Sequence, residues 1–385
     1  MKIAYFTDTF VPDINGVVTS ILNSSERLAK KGHQIYIFAP KPKDKSSIIL
    51  GKNITIYYYP RLKLTKYPDF QFAVPNFDLA MKIRRIRPDV IHIHTPAFMG
   101  GMALMLAKLF NILTISTYHT FLPDFLEFAP FPKKISTSKA AHRLTWAFTR
   151  RFYNRCDIVT TPSIAMKQEL EKHGIKRPVV FLSNGVDLNK FRPQDCKKSG
   201  NTILHVGRIS YEKNIDVLIK AFSLLKNKKS KLLIAGKGPA FDDLKKLVHS
   251  LNLFDRVIFL GPIKHDDLPK LYCTGDLFAT ASTVETEGIV ILEAIACGLP
   301  IVGVNALALP YIIEHGKSGF LAQPGDEVQI AQFMQKMLDD KKLRETVSAS
   351  GLKNIKKYSL DSVIADVEKI YAMNKKTAKA RFLLR

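Results

Sequence analysis

Residues 282–302, STVETEGIVILEAIACGLPIV, pass from loop to helix to strand in one short span. Glu285 stands in a polar run, Gly288 follows, and an apolar run from Ile289 carries a second carboxylate, Glu293. Gly298 suits the left-handed position after a helix, and Pro300 cannot continue one. Ile301 to Val304 then reads as a short buried strand. This order predicts Glu285 just ahead of a helix and Glu293 inside it. The first turn of such a helix offers free N–H groups to an anion, and Gly288 lets the anion come close. Two carboxylates flanking an anion site match the layout of a nucleotide sugar: ribose hydroxyls, diphosphate, sugar hydroxyls. The plainer alternative is an amphipathic helix with two solvated glutamates.

Outward from this segment, strands alternate with helices. Met1 to Phe6, Ile35 to Ala39, Val90 to His94, Leu113 to Thr117 and Ile158 to Thr160 read as strands, with a helix from Asn15 to Lys31. Ser183-Asn184-Gly185-Val186-Asp187 is rich in turn formers, and the pattern restarts after it. Thr202 to Val206, Lys231 to Ala235, Val257 to Leu260 and Leu277 to Ala279 are the next strands, with a helix from Asn214. The alternation predicts an α/β chain with parallel sheets covered on both faces. At 385 residues the chain suits two domains. The expected boundaries are 1–184 for the first domain, 185–198 for a linker, 199–360 for the second and 361–385 for a terminal helical segment.

Open α/β sheets bind ligands at the carboxyl ends of their strands. Asn15-Gly16 follows the first strand, where the backbone can approach a phosphate or an acceptor. Arg208 and Lys213 follow the strand ending at Val206. Arg208 offers a bidentate contact and Lys213 a point charge, together a diphosphate clamp. Gly236-Lys237-Gly238 follows the next strand, and His119 follows the strand ending at Thr117. His92 and His94 fall inside a strand and are read as structural. Asp-x-Asp, a pattern that can hold a metal on a diphosphate, occurs nowhere in the chain, and Arg208, Lys213 and a helix N-terminus can neutralise a diphosphate without one.

The spacing Glu285-x7-Glu293, followed by Ala-Ile-Ala-Cys-Gly-Leu-Pro, resembles the signature of the retaining GT-B glycosyltransferases of family 4. The Arg208 to Asn214 segment and the turn at Gly16 resemble the same family, which often carries Gly where this chain has Asn15. The resemblance implies a GT-B fold: two tandem doubly wound Rossmann-like domains with a central cleft, and the last helix packing back on the first domain. It places Glu285 on the donor sugar, Glu293 on the ribose and His119 near the reacting bond. It lines the donor pocket with Gly236, Gly238, Thr286, Gly288 and Ile289. Catalytic roles would fall to His119, Glu285, Arg208 and Lys213, with no metal and no cofactor. Phe-x-Pro-x-x-x-Gly-Val-Val-Thr-Ser and the Glu-Thr-Glu-Gly form of the signature are most similar to enzymes that glucosylate diacylglycerol. The implied reaction moves glucose from UDP-glucose to a membrane lipid such as 1,2-diacylglycerol. Phosphatidylinositol, a soluble or polysaccharide acceptor, and a sugar-nucleotide epimerase of the same fold stay open.

The formal charge of +24 implies an anionic partner or a lysine-rich proteome. Residues 1–185 hold 27 Lys+Arg against 12 Asp+Glu, and residues 186–385 hold 31 against 22. A nucleic-acid-binding protein would rest on this charge alone, without recognition motifs, so no nucleic-acid partner is expected. Basic residues gather in one segment. Lys133, Lys134, Lys139, Arg143, Trp146 and Arg150 suggest a helix lying on an anionic membrane, with Ala141, Leu144, Phe148 and Phe152 facing the core. A solvated basic face is the alternative. Asp8 interrupts the apolar start, and Lys108 and Asn111 break the run at 100–117. The expectation is a cytoplasmic protein held peripherally at the inner face of the membrane, of undetermined oligomeric state. Four well-separated cysteines read as reduced thiols.

Overall fold

A computed structural model describes residues 1–13, 15–42, 50–63, 71–119, 138–196, 198 and 200–373. The chain divides into two compact units, one of Met1–Ser183 with the segment from Asp361 onward, the other of Asn184–Leu360.

The first unit holds a parallel sheet in the order β3-β2-β1-β6-β7-β8-β9. Its strands are β1 (Lys2–Phe6), β2 (Gln34–Pro40), β3 (Ile54–Tyr59), β6 (Val90–Ile93), β7 (Leu113–Thr117), β8 (Ile158–Thr161) and β9 (Val179–Phe181). Between β3 and β6, β4 (Arg61–Lys63) and β5 (Gln71–Ala73) form a small antiparallel pair that the sequence pattern does not announce. β1, β6, β7 and β8 are buried along almost their whole length, as strands covered on both faces must be. The helices are α1 (Gly16–Lys30), α2 (Asp78–Ile86), α3 (Phe98–Leu109), α4 (Lys139–Tyr153) and α5 (Ile164–Lys172). Asn15 caps α1 by accepting from the Val18 N–H at 3.0 Å. Val18, Ile21, Ser25, Leu28 and Ala29 recur at helical spacing and form its buried stripe.

The second unit repeats the design with a sheet in the order β12-β11-β10-β13-β14-β15. Its strands are β10 (Thr202–Val206), β11 (Lys231–Ala235), β12 (Val257–Gly261), β13 (Leu277–Ala279), β14 (Ile301–Val304) and β15 (Gly319–Ala322). Its helices are α6 (Ile215–Ser223), α7 (Phe241–Ser250), α8 (Leu268–Thr274), α9 (Ile289–Ala296), α10 (Leu309–Ile312), α11 (Glu327–Asp339) and α12 (Lys341–Asn354). The strand order reverses between β10 and β13, which makes their carboxyl ends the switch point where such sheets take ligands. The last helix, α13 (Leu360–Tyr371), packs on the first unit, where Asp361 pairs with Arg27 and Glu368 with Lys31.

Three expectations need correction. The segment expected as a linker, 185–198, belongs to the second unit, where the Val186 N–H donates to Tyr358 and Cys196 meets Cys273. That pairing also overturns the reading of four separate thiols: Cys196 and Cys273 form a disulfide at a Cα–Cα distance of 5.9 Å, across 77 residues. Cys156 and Cys297 stay free and buried. The third correction concerns α4. Trp146 is buried and stacks on His173 at 3.7 Å, so it cannot line a membrane-facing stripe. Leu144 and Phe148, expected inside, are exposed. Trp146, Thr149, Phe152 and Tyr153 form the buried side, with Trp146 covered by His173 at the C-cap of α5. Lys139, Arg143 and Arg150 are exposed. Lys133 and Lys134 lie outside the described residues.

Candidate active site

The reversal point of the second sheet carries the signature residues. β10 ends at Val206, and Arg208 follows, exposed, just ahead of the buried Ile209 and Ser210. Lys213 closes a short turn, after which Asn214 takes a left-handed conformation and starts α6. The Asn214 side-chain amide donates to Ala281 O at 3.3 Å and to Thr283 Oγ1 at 3.2 Å. These bonds tie the Lys213 turn to the loop after β13. The far side of that loop is held where Ala308 N–H donates to Glu285 O at 3.2 Å. Lys213 Nζ consequently donates to Glu285 Oε1 at 2.7 Å. Burial pushes the Glu285 carboxyl up, but the charge and hydrogen bond of Lys213, with the Ser282 hydrogen bond and the His205 charge, together outweigh it and hold the group below the usual carboxylate range.

Gly288 sits at φ +77° as the N-cap of α9. A side chain there would be strained and would meet Ile291, so the helix begins on a bare backbone turn. Thr286 lies between Glu285 and this cap, and Ile289 opens the helix. Glu285 is thus in the loop and Glu293 inside the helix, with Gly298 in the left-handed position after it at φ +81°. Glu293 is almost wholly buried. Its two oxygens accept from Tyr272 Oη at 3.0 Å and pair with His265 Nε2 at 3.0 Å. Burial, with the neighbouring Glu293 carboxylate, pushes the Tyr272 phenol far above its usual range.

Gly236 and Gly238 serve a close backbone approach. A Cβ at Gly236 would lie 1.8 Å from Gly207 O, and one at Gly238 would lie 2.1 Å from Ile209 O. Gly207 N–H donates to Ala235 O and Ile209 N–H to Lys237 O, each at 3.0 Å. The loops after β10 and β11 are therefore fastened together, which fixes the stretch carrying Arg208.

Residues that sequence reasoning missed support this site. Tyr272 and His265 hold Glu293, yet nothing in their local sequence marks them. Glu287, only 2 % exposed, accepts the Asn184 backbone N–H at 2.9 and 3.1 Å and is hydrogen bonded by the Asn184 side chain. It anchors the first turn of the second unit.

In the first unit, Gly16 opens α1, and Asn15 uses the Val18 N–H that an anion would otherwise share. His119 follows β7, and its Nε2 pairs with His94 Nδ1 at 3.1 Å. His92 stacks on His94, and its two nitrogens meet Tyr371 Oη at 2.5 Å and Thr117 Oγ1 at 2.6 Å. Burial lowers all three imidazoles, His92 and His119 to about 3, so the cluster is neutral near pH 7. Asp8, at the end of β1, accepts from Thr95 Oγ1, Ala73 N–H and Met99 N–H. Burial raises its carboxyl to about 6 against those bonds.

Residues 187–354 match the model for glycosyl transferases group 1, and residues 14–190 match that for glycosyltransferase family 4. The alpha-monoglucosyldiacylglycerol synthase of Streptococcus pneumoniae is 31% identical over 78% of this chain and 70% of its own. That of Acholeplasma laidlawii is 26% identical over 96% of each chain. A GDP-mannose-dependent alpha-mannosyltransferase of Mycobacterium tuberculosis is 27% identical over 85% of each. Among solved structures, sucrose-phosphate synthase from Thermosynechococcus elongatus superposes with a TM-score of 0.79 at 20% identity, covering 96% of this chain and 98% of that one. Anabaena HepE, crystallised with UDP, gives 0.74 at 18% identity, covering 96% and 99%. With two doubly wound units, a loop glutamate and a helix glutamate at the second switch point, and these relatives, the chain belongs to the family 4 glycosyltransferases of the GT-B fold.

Proposed function

We propose that this enzyme moves glucose from UDP-glucose to a membrane lipid of the 1,2-diacylglycerol class at the inner face of the membrane, with retention at the anomeric carbon. The observation that carries the reading is the Lys213–Glu285 pair beside the Gly288 turn. It joins a cation suited to a diphosphate to a carboxylate suited to sugar hydroxyls, next to a bare helix start. The similarity to two diacylglycerol glucosyl-adding enzymes supports the acceptor class.

In the proposed step the bond between the anomeric carbon and the diphosphate oxygen breaks, and the diphosphate leaves with the electron pair. The acceptor hydroxyl attacks from the same face, and its proton passes to a donor phosphate oxygen. Lys213 and Arg208 stabilise the charge that grows on the leaving group, as preorganised cations do. Glu285 orients the sugar and Glu293 holds the ribose, and the family resemblance assigns His119, kept neutral by burial, a catalytic role. No metal takes part.

The similarity to a GDP-mannose-dependent enzyme favours mannose as the second reading. Incubation with a panel of nucleotide sugars and lipids, with and without a chelator, separates the two when products are identified by mass. Glucosyl-diacylglycerol formed in chelator supports the proposal. A mannosylated product, a soluble acceptor, an epimerised donor or an absolute metal requirement overturns the corresponding part.

A further inference from the structure

Glu293 is a buried carboxylate with two side-chain partners among the described residues, Tyr272 and His265. They are not equal as donors. Tyr272 Oη carries one hydrogen and has two acceptors in reach, Glu293 Oε2 at 3.0 Å and Val290 O at 3.2 Å. His265 Nε2 has Glu293 Oε1 at 3.0 Å and no second acceptor among the described residues. Burial does not fix this imidazole, because its side chain is 43% exposed. What fixes it lies on its other nitrogen. Lys190 Nζ sits 2.7 Å from His265 Nδ1 and 2.7 Å from Asp266 Oδ1. An ammonium only donates, so Nδ1 accepts and the ring hydrogen stands on Nε2, facing Glu293. Donation therefore runs from Lys190 to His265 to Glu293. A cation on Nδ1 also polarises the Nε2–H toward the carboxylate.

The chain holds Lys190 at this place by a turn built on Asp187. The Asp187 carboxylate takes the Asn189 N–H at 3.0 Å, and its carbonyl takes the Lys190 and Phe191 N–H groups at 3.2 and 2.8 Å. Phe191 anchors the turn: it is buried, with its ring centroid 5.3 Å from that of His265 and 6.2 Å from that of Tyr272. One short segment thus packs beside both partners of Glu293. As a surface ion pair with the exposed Asp266, Lys190 would contribute little to stability. Its place on His265 Nδ1 gives it a consequence for the site.

We propose that Lys190 is a positioning residue for ribose recognition: it fixes the tautomer and ring of His265, so that Glu293 keeps an acceptor site on each oxygen for two vicinal hydroxyls. The proposal rests on the reading of Glu293 as the ribose contact. A carboxylate oxygen has about two acceptor sites. Tyr272 fills one on Oε2 and His265 fills one on Oε1, which leaves one on each. With the ring hydrogen on Nδ1 instead, a lone pair would face Oε1 and repel the carboxylate from that geometry.

The test is calorimetric titration of the full chain with UDP and with 2′-deoxy-UDP, and with the same pair of guanosine nucleotides. The readout is the ratio of the two dissociation constants for the tighter-binding base, because general loosening of the fold weakens both members alike. A hydroxyl on a carboxylate makes the expected wild-type ratio about tenfold to a hundredfold. Lys190→Met and His265→Leu should each shrink that ratio by about threefold or more. Lys190→Arg keeps a donor for Nδ1 and His265→Gln keeps an N–H for Glu293, so each should restore most of it. Adding Lys190→Met to His265→Leu should change nothing further, since Lys190 acts through the imidazole. The thermal midpoint of Lys190→Met should stay near the wild-type value. A full ratio in both Lys190→Met and His265→Leu, lost only in Glu293→Gln, overturns the proposal and leaves the ribose reading standing. Equal weakening of both nucleotides by Lys190→Met also overturns it, by putting the ammonium on the diphosphate. A ratio that Glu293→Gln leaves at the wild-type value removes the ribose contact, and the proposal falls with it.

Discussion

Lys213 Nζ lies 2.7 Å from Glu285 Oε1, a contact between residues 72 positions apart with side chains 21% and 13% exposed. The two sit at the ends of neighbouring strands β10 and β13, so the pair is made by sheet order rather than by sequence. In the proposed reaction a donor diphosphate takes over Lys213, and the site is assembled before the donor arrives. Lys213→Ala therefore removes a cation from the leaving group and strands a carboxylate. We expect kcat/KM to fall tenfold to a thousandfold, ~1.4 to 4 kcal/mol, by steady-state kinetics. A near-wild-type rate would remove Lys213 from the clamp.

The same pair has a pH signature. The folded-state pKa of Glu285 is depressed, so its stability contribution is complete above the ordinary value of 4.5 and is lost as pH falls through the lower folded value. In Lys213→Ala both Lys213 contributions are lost, and burial, the largest single influence, is opposed only by the Ser282 hydrogen bond and the His205 charge, so the carboxyl rises. Melting curves between pH 3 and 7 are expected to show the variant losing stability toward neutral pH, where the wild type is flat with respect to this group.

Glu293 is held from both sides, by Tyr272 and by His265. Tyr272→Phe keeps the ring and removes one donor from a buried carboxylate, at a cost of ~1–3 kcal/mol. The expected kinetic result is a raised KM for the donor with kcat changed less, since a ribose contact contributes equally before and during reaction. Glu293→Ala should follow the same pattern, whereas Glu285→Ala should lower kcat more through loss of sugar orientation. Equal, small effects at all three positions would cancel the division of labour.

The glutamates, the Gly288 turn, the Gly298 stop and most central strands were legible because each rests on a local rule: helix start, helix stop, buried apolar run. Gly236 and Gly238 were legible as unusual, but their close approach to Gly207 and Ile209 depends on two loops meeting at the carboxyl ends of the neighbouring strands β10 and β11. Tyr272, His265 and the Cys196–Cys273 pair left no local trace, because only the packing of α8 brings them to their partners. Trp146 misled for a physical reason: it lies at helical spacing from Lys139, Arg143 and Arg150. A basic stripe and a buried aromatic share an edge on α4, and periodicity cannot say on which side of that edge the indole lies.

The imidazoles of His92, His94 and His119 are all buried and lowered, so in the folded chain they stay neutral well below pH 6.5. The unfolded chain binds those protons first. Stability is therefore complete above 6.5 and falls as pH drops toward the folded values, by up to about 1.4 kcal/mol per pH unit for each group. Asp8 acts with the opposite sign: its carboxyl, raised to about 6, contributes stability that is present at low pH and lost as pH rises through 6. The three histidines outweigh it, so denaturant midpoints are expected to decline from pH 7 to pH 4.5. A His92→Phe/His94→Phe variant should flatten that decline. An unchanged slope would mean that the cluster takes up protons in the folded state.

The disulfide between Cys196 and Cys273 joins the early part of the second unit to α8, the helix whose Tyr272 holds Glu293. It closes a loop of 77 residues in sequence separation. Cross-links of that span restrict the unfolded chain and contribute ~2–4 kcal/mol. Reductant should therefore lower the thermal midpoint of the second unit by roughly 10 °C. It should also raise the donor KM, because α8 is then less firmly held beside Glu293. Cys196→Ser/Cys273→Ser should show the reduced behaviour under all conditions and no response to reductant. Mass analysis of alkylated protein before and after reduction counts the thiols. Four alkylated cysteines without reductant would show that the bridge does not form in solution. An oxidised protein whose donor KM ignores reductant would show that α8 keeps Tyr272 on Glu293 by packing alone.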